Sequence, residues 1–142
     1  MDWAFDNDRP IYQQIVTQLE RAVVGGWYRP GERLPTVREL AADAGVNPNT
    51  MQRALAELET GGLVETKRTS GRFVTENTAL IRQMREEIAR EETAAFVGRM
   101  KTLGYQREEI LAMIWAETEN EGKETDDPMP VQSPATGIRD SG

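Results

Sequence analysis

The stretch LPTVRELAADAGVNPNTMQRALAELETGGLVETKRTSGRFV, from Leu34 to Val74, constrains the fold of this chain more than any other, because its turns are set by residue chemistry and not by hydrophobicity alone. Thr36 with Glu39 three residues later is a capping box, in which each side chain satisfies an orphan N–H at a helix start, and Leu40 opens the apolar run. Gly45 stops that helix. Val46 and Asn47 form a turn, Asn47 is placed to cap a further helix, and Pro48 suits its first position, where a missing N–H costs nothing and φ is already helical.

In the helix that starts at Pro48, Met51, Ala54, Leu55 and Leu58 recur at helical spacing and are expected to face inward. Asn49, Thr50, Gln52 and Arg53 then lie on or near an outward, polar leading turn. A DNA major groove accepts such a surface: Asn and Gln pair bidentately with adenine, Arg with guanine, and a groove about 12 Å wide admits a whole helix. Gly61 and Gly62 end the helix, and Leu63 to Lys67 and Arg72 to Thr75 read as two strands joined around Arg68, Thr69, Ser70 and Gly71. That hairpin is basic and suited to lie on phosphate or in a minor groove. Helix, turn, polar helix and hairpin in this order make a winged helix-turn-helix, so the fold class expected is mainly α with a small β-hairpin.

The segments LPTVRELA, AGVNPNTMQRALAELE, GGLVE and GRFV closely resemble, in order and spacing, the DNA-binding domain of the GntR family of bacterial transcription regulators. The likeness covers roughly the first half of the chain. The remainder, a helical segment too short for a ligand-sensing domain, resembles the small YtrA subfamily. The resemblance implies a DNA-binding dimer. Residue by residue it puts Arg38 on the phosphate backbone or a base, with Thr36 beside it. It puts Asn47, Asn49, Thr50 and Arg53 on the recognition helix, and Lys67, Arg68, Gly71 and Arg72 on the wing. Two positions depart from the family pattern. Pro48 stands where many members carry a guanine-reading Arg, which moves base readout toward Asn47, Asn49, Thr50 or Arg53, and Thr69 stands where the wing often has its first Gly.

The chain of 142 residues allows one modest domain plus an appendage, since single domains run about 100–150 residues. It has no Cys and no His, which removes disulfides, nitrogen and sulfur metal sites and His-based catalysis together. No nucleophile and base pair is identifiable, so the chain is not expected to be an enzyme, and neither a cofactor nor a metal is expected. The acidic start, MDWAFDNDR, has no apolar run, and no stretch approaches the roughly 18 apolar residues of a membrane span. No membrane association is expected, and the compartment expected is the cytoplasm. The net charge of −7 opposes nucleic-acid binding at first sight, because Lys and Arg supply most non-specific affinity. Residues 1–75, however, carry nine Lys and Arg against ten Asp and Glu, so the acid excess lies mostly outside the reading head.

Ahead of the head, residues 1–9 look extended, with Trp3 and Phe5 alternating against charged neighbours as an edge on the domain. Ile11, Ile15, Leu19, Ala22 and Val23 give an amphipathic support helix from Pro10 to about Val24, stopped by Gly25 and Gly26, and Trp27 is expected to be a buried anchor. After the wing, Asn77 or Thr78 can cap a long helix to about Leu103; Gly104 breaks it, and a second helix runs from about Arg107 to Glu119. Alternation of Glu86, Glu87, Glu91 and Glu92 with Arg82, Arg85 and Arg90 reads as i,i+4 ion pairing in preference to a metal site. The apolar positions of the two helices, Ile81, Met84, Ile88, Phe96, Met100, Leu103, Ile110, Leu111, Ile114 and Trp115, cannot enclose a core alone and are expected to form a dimer interface.

The expected organisation is therefore a DNA-binding domain over residues 1–76, a helical dimerisation segment over 77–120, and a disordered acidic tail over 121–142. Two recognition helices related by a two-fold axis read a palindrome with half-sites about 34 Å apart. The function expected is that of a homodimeric repressor on double-stranded operator DNA; regulators resembling this subfamily often control transporter operons. A small-molecule effector would have to bind at the dimer interface or between the long helix and the DNA domain, and no polar cluster marks either place. The alternative is a winged-helix protein-interaction module, which would be expected to carry apolar or acidic residues where Asn49, Thr50 and Arg53 stand.

Overall fold

The computed structural model describes residues 1–124, with side chains through Glu121. Among the described residues the elements are α1 (Ile11–Val24), α2 (Val37–Ala44), α3 (Pro48–Thr60), β1 (Val64–Lys67), β2 (Gly71–Val74), α4 (Thr78–Thr102) and α5 (Arg107–Glu124). Two compact units meet within α4, the first being Met1–Glu91 and the second beginning at Glu92.

In the first unit α1 packs on α3, and α2 on α3, around Ile15, Leu19, Met51, Leu55, Leu63 and Val74. The extended start is fastened to α1 by two glutamines one helical turn apart. Gln18 exchanges bonds with the backbone of Ala4, donating at 2.8 Å and accepting at 3.1 Å. Gln14, though buried, donates to the carbonyls of Asp6 and Arg9 and accepts from Asp6 N–H, all at 2.9 Å. The spacing fits because two extended residues and four helical residues advance the chain by nearly the same length, about 6 Å. Trp3 and Phe5 are thereby laid against the core and stack with ring centroids 5.9 Å apart.

Trp27 corrects the expectation of a buried anchor: it is 64% exposed, and Tyr28 is buried in its stead. Trp27 N–H and Tyr28 N–H both reach back to the Ala22 carbonyl, and Gly26 adopts a positive φ of 89°. That tight turn moves the inward position one residue along. The chain then runs beside the hairpin, where Leu34 N–H donates to the Arg72 carbonyl and Val74 N–H to the Glu32 carbonyl, each at 2.9 Å. The hairpin is antiparallel, Val64 opposite Val74 and Lys67 opposite Gly71, and Arg33 bridges Phe73 on its other edge.

The start of α4 also belongs to this unit. Asn77 caps it, accepting from Leu80 N–H at 3.1 Å, and Leu80 lies over Gly62. Of the residues expected at the dimer interface, Ile81 is buried in this unit's core, and Met84 and Ile88 are half-buried and packed against it. The cap aims the first turns of α4 along the domain, so the first part of its apolar stripe is covered by the chain's own core. Arg85 departs from the i,i+4 pairing expected of it, donating from Nε to the Val24 carbonyl at the end of α1 at 2.8 Å.

In the second unit Gly104 turns the chain at a positive φ of 99°, and Gln106 N–H donates to Glu109 at the start of α5. Ile110 is buried within the single chain, while Phe96 and Met100 are half-buried. Leu103, Leu111, Ile114 and Trp115 stand exposed, as does Met113. Helix α5 continues to Glu124, past the Glu119 end expected, so the segment expected to be a disordered acidic tail begins in helix; residues 125–142 of that tail lie outside the described residues. Among the described residues no helix is long and apolar enough to cross a membrane.

Candidate nucleic-acid interface

The capping box at the start of α2 is present in full. Thr36 Oγ1 accepts from Glu39 N–H at 3.1 Å and Glu39 Oε1 accepts from Thr36 N–H at 2.8 Å, which holds the Glu39 carboxyl below the usual carboxylate range. Thr36 Oγ1 keeps its own hydrogen for a further acceptor. Gly45, in the left-handed region at φ 73°, ends the helix and swings the chain into α3. Asn47 caps α3, its Oδ1 accepting from Asn49 N–H at 2.7 Å, so its Nδ2 hydrogens remain to donate outward.

Met51, Ala54, Leu55 and Leu58 fill the core, as the spacing predicts. Asn47, Asn49, Gln52 and Arg53 are exposed and Thr50 is half-buried. Arg53, though exposed, is laid over a neighbouring ring. Its guanidinium carbon lies 3.6 Å from the centroid of the Tyr12 ring, in the first turn of α1.

Four of the sequence-predicted residues, Thr36, Arg38, Gly71 and Arg72, come together along one groove of about 510 Å³ between the start of α2 and the wing. Arg33, which no sequence motif marks, lines it too. Its guanidinium crosses Gly71, where a side chain's Cβ would come within 3.1 Å of Arg33 Nε, and Gly71 itself sits at φ 110°. The signal that could have found Arg33 is its place one residue before Leu34, on an extended segment that pairs with β2.

The wing cations are not equivalent. Arg72 is part-buried and paired with Glu59 at 3.2 Å, and Glu59 also accepts from Thr66 Oγ1, so Arg72 braces the wing against α3. Lys67 Nζ rests 4.7 Å from the Phe73 ring centroid. Arg68 is exposed at the tip, in a turn of 3₁₀ helix over Arg68–Ser70. The assembled surface thus offers guanidinium and amide donors on a helix start, beside a basic hairpin, which is the chemistry of phosphate positioning and base-edge readout.

Comparison with known proteins agrees with this geometry. The model of the family described as bacterial regulatory proteins, gntR family, matches residues 11–74. The HTH-type transcriptional regulator YhcF of Bacillus subtilis is 41% identical over 119 residues, covering 84% of this chain and 98% of that protein. The HTH-type transcriptional repressor YtrA of the same organism is 46% identical over 68 residues, 48% of this chain and 52% of that protein. Among solved structures, a GntR family transcriptional regulator from Listeria monocytogenes superposes with a TM-score of 0.72 at 41% identity, covering 79% of this chain and 98% of that one. A transcriptional regulator from Oenococcus oeni superposes with a TM-score of 0.65 at 27% identity, over 81% of this chain and 96% of that one. These relatives are named as transcriptional regulators. With a winged head, a polar helix start and a relative matched along nearly its whole length, the chain belongs to the GntR family and is a DNA-binding transcription regulator.

Proposed function

We propose that the chain acts as a homodimeric repressor that binds a palindromic operator and blocks transcription by occupying it. One observation carries the operator reading: Asn47, Asn49 and Arg53 are exposed at the leading end of α3 while its opposite face fills the core. That helix is free to enter a groove, with Thr36, Arg38, Lys67, Arg68 and Gly71 as its flanking contacts to the backbone. Arg72 contributes as a brace. Leu111, Ile114 and Trp115, at i, i+3 and i+4 on α5, present an apolar face whose partner is a second copy, joined by Leu103 and the half-buried Phe96 and Met100. Similarity to YtrA, which is named a repressor, favours repression over activation.

The test is to sequence the DNA fragments that the purified protein retains from its own genome. A shared motif with two-fold symmetry, lying across a promoter, is the expected result. Fragments with no common motif would remove the operator reading.

A further inference from the structure

We propose that Tyr12 is a positioning residue for DNA recognition, its ring holding the Arg53 guanidinium as a preset fork and so sustaining the base preference that Arg53 supplies. The proposal rests on the operator-binding reading above. An exposed Arg has many rotamers of similar energy, and a fork that must be ordered on binding loses much of what its hydrogen bonds contribute. Arg53 is exposed, yet its guanidinium carbon lies 3.6 Å from the centroid of the Tyr12 ring.

Tyr12 is suited to the task. It is half-buried, it adjoins Ile11, which is packed against the core, and its helix α1 lies directly on α3. Ring and guanidinium therefore ride on two elements fixed to each other through the core. A guanidinium carbon this close over the ring takes up one flat face of the group and leaves its in-plane N–H groups available to an acceptor. Arg72 shows the contrast: its Nε is bonded to Glu59, whereas Arg53 has no ion pair among the described residues. An aromatic ring orients the cation without neutralising it. A carboxylate in the same place would orient it and cancel its attraction for DNA.

An aimed fork favours the base edge it is aimed at, while a swinging one serves any phosphate equally. Loss of the ring is thus expected to weaken operator binding more than binding to unrelated DNA.

The experiment is a double-mutant cycle on the full chain, titrating a duplex recovered by the genomic selection and a scrambled duplex of equal length at one ionic strength. Tyr12→Leu is expected to lower operator affinity roughly 2- to 5-fold, the worth of an exposed cation–π contact, with a smaller loss on the scrambled duplex. Tyr12→Phe is expected to match the wild type, and Tyr12→Leu is expected to add nothing to Arg53→Ala. Additive losses in the double variant, equal losses on both duplexes, or a Tyr12→Phe as weak as Tyr12→Leu would each overturn the proposal. Tyr12→Gln, a good helix former without a ring, supplies the same comparison should Leu alter the melting temperature. A wild type that prefers no duplex defeats the operator reading itself. A wild type that discriminates while Arg53→Ala binds as well as it does removes Arg53 and with it Tyr12 from recognition, and leaves the operator reading to the other residues of the surface.

Discussion

Arg38→Ala is expected to lower affinity for every DNA duplex by about tenfold, the worth of one charge-assisted hydrogen bond, and to leave the preference among sequences unchanged. Arg38 is exposed on the first turn of α2 and lines the groove that also holds Arg33, Thr36 and Gly71. A helix start and the wing converge there, and Arg33 and Arg38 bring two guanidinium groups to one groove, which suits the diffuse charge of a backbone phosphate. A phosphate is the ligand that fits, and each phosphate neutralised contributes about 0.9 to the slope of log affinity against log salt. The slope of the variant is therefore expected to fall by about that amount. Melting temperature should not move, because the Thr36–Glu39 cap that holds the helix start does not involve Arg38. A loss confined to operator DNA with an unchanged salt slope would make Arg38 a base reader and contradict this assignment.

Ile114→Asp is expected to convert the protein to monomers by light scattering at micromolar concentration and to weaken operator binding by roughly 10²- to 10⁴-fold, as the second half-site contact becomes intermolecular. Ile114 is 41% exposed in the single chain, between Leu111 and Trp115 on the same face of α5, so a carboxylate there is solvated in the monomer. In a dimer core it would be buried without a partner, which is among the costliest things an interface can contain. An unchanged mass would place the interface elsewhere. Monomers with undiminished operator affinity would break the link between dimerisation and recognition.

Much of this molecule was legible because its turns are chemically explicit. The Thr36–Glu39 box, the Asn47 cap with Pro48 behind it, and the Asn77 cap of α4 are local devices whose geometry depends on neighbours a few residues away, and all are formed. The features that escaped are long-range. Trp27 and Tyr28 differ by one residue, and only the turn closing on the Ala22 carbonyl decides which of them is buried. Ile81, Met84 and Ile88 have the spacing of an interface stripe, and that spacing alone does not reveal that they also pack on the chain's own core. Gln14 reads as an ordinary polar helix residue, and its burial is intelligible only once Asp6 and Arg9 have folded back over it.

At the candidate site the same distinction holds. The helix-start motifs point to Thr36, Asn47 and Asn49, and the family resemblance adds Arg38. Both miss Arg33, which reaches the wing through strand pairing, and neither separates Arg72, held by Glu59, from Arg68, exposed at the tip. The Tyr12–Arg53 stack joins residues 41 positions apart in the chain and arises from the packing of α1 on α3.

The most direct measurement of the central claim, that two copies present the start of α3 to one duplex, is a hydroxyl-radical footprint on a retained genomic fragment. Two protected blocks on one face of the DNA, symmetric about a dyad with recognition centres about 10 base pairs apart, are the result this account predicts. A single unpaired block, or protection without a dyad, would contradict it.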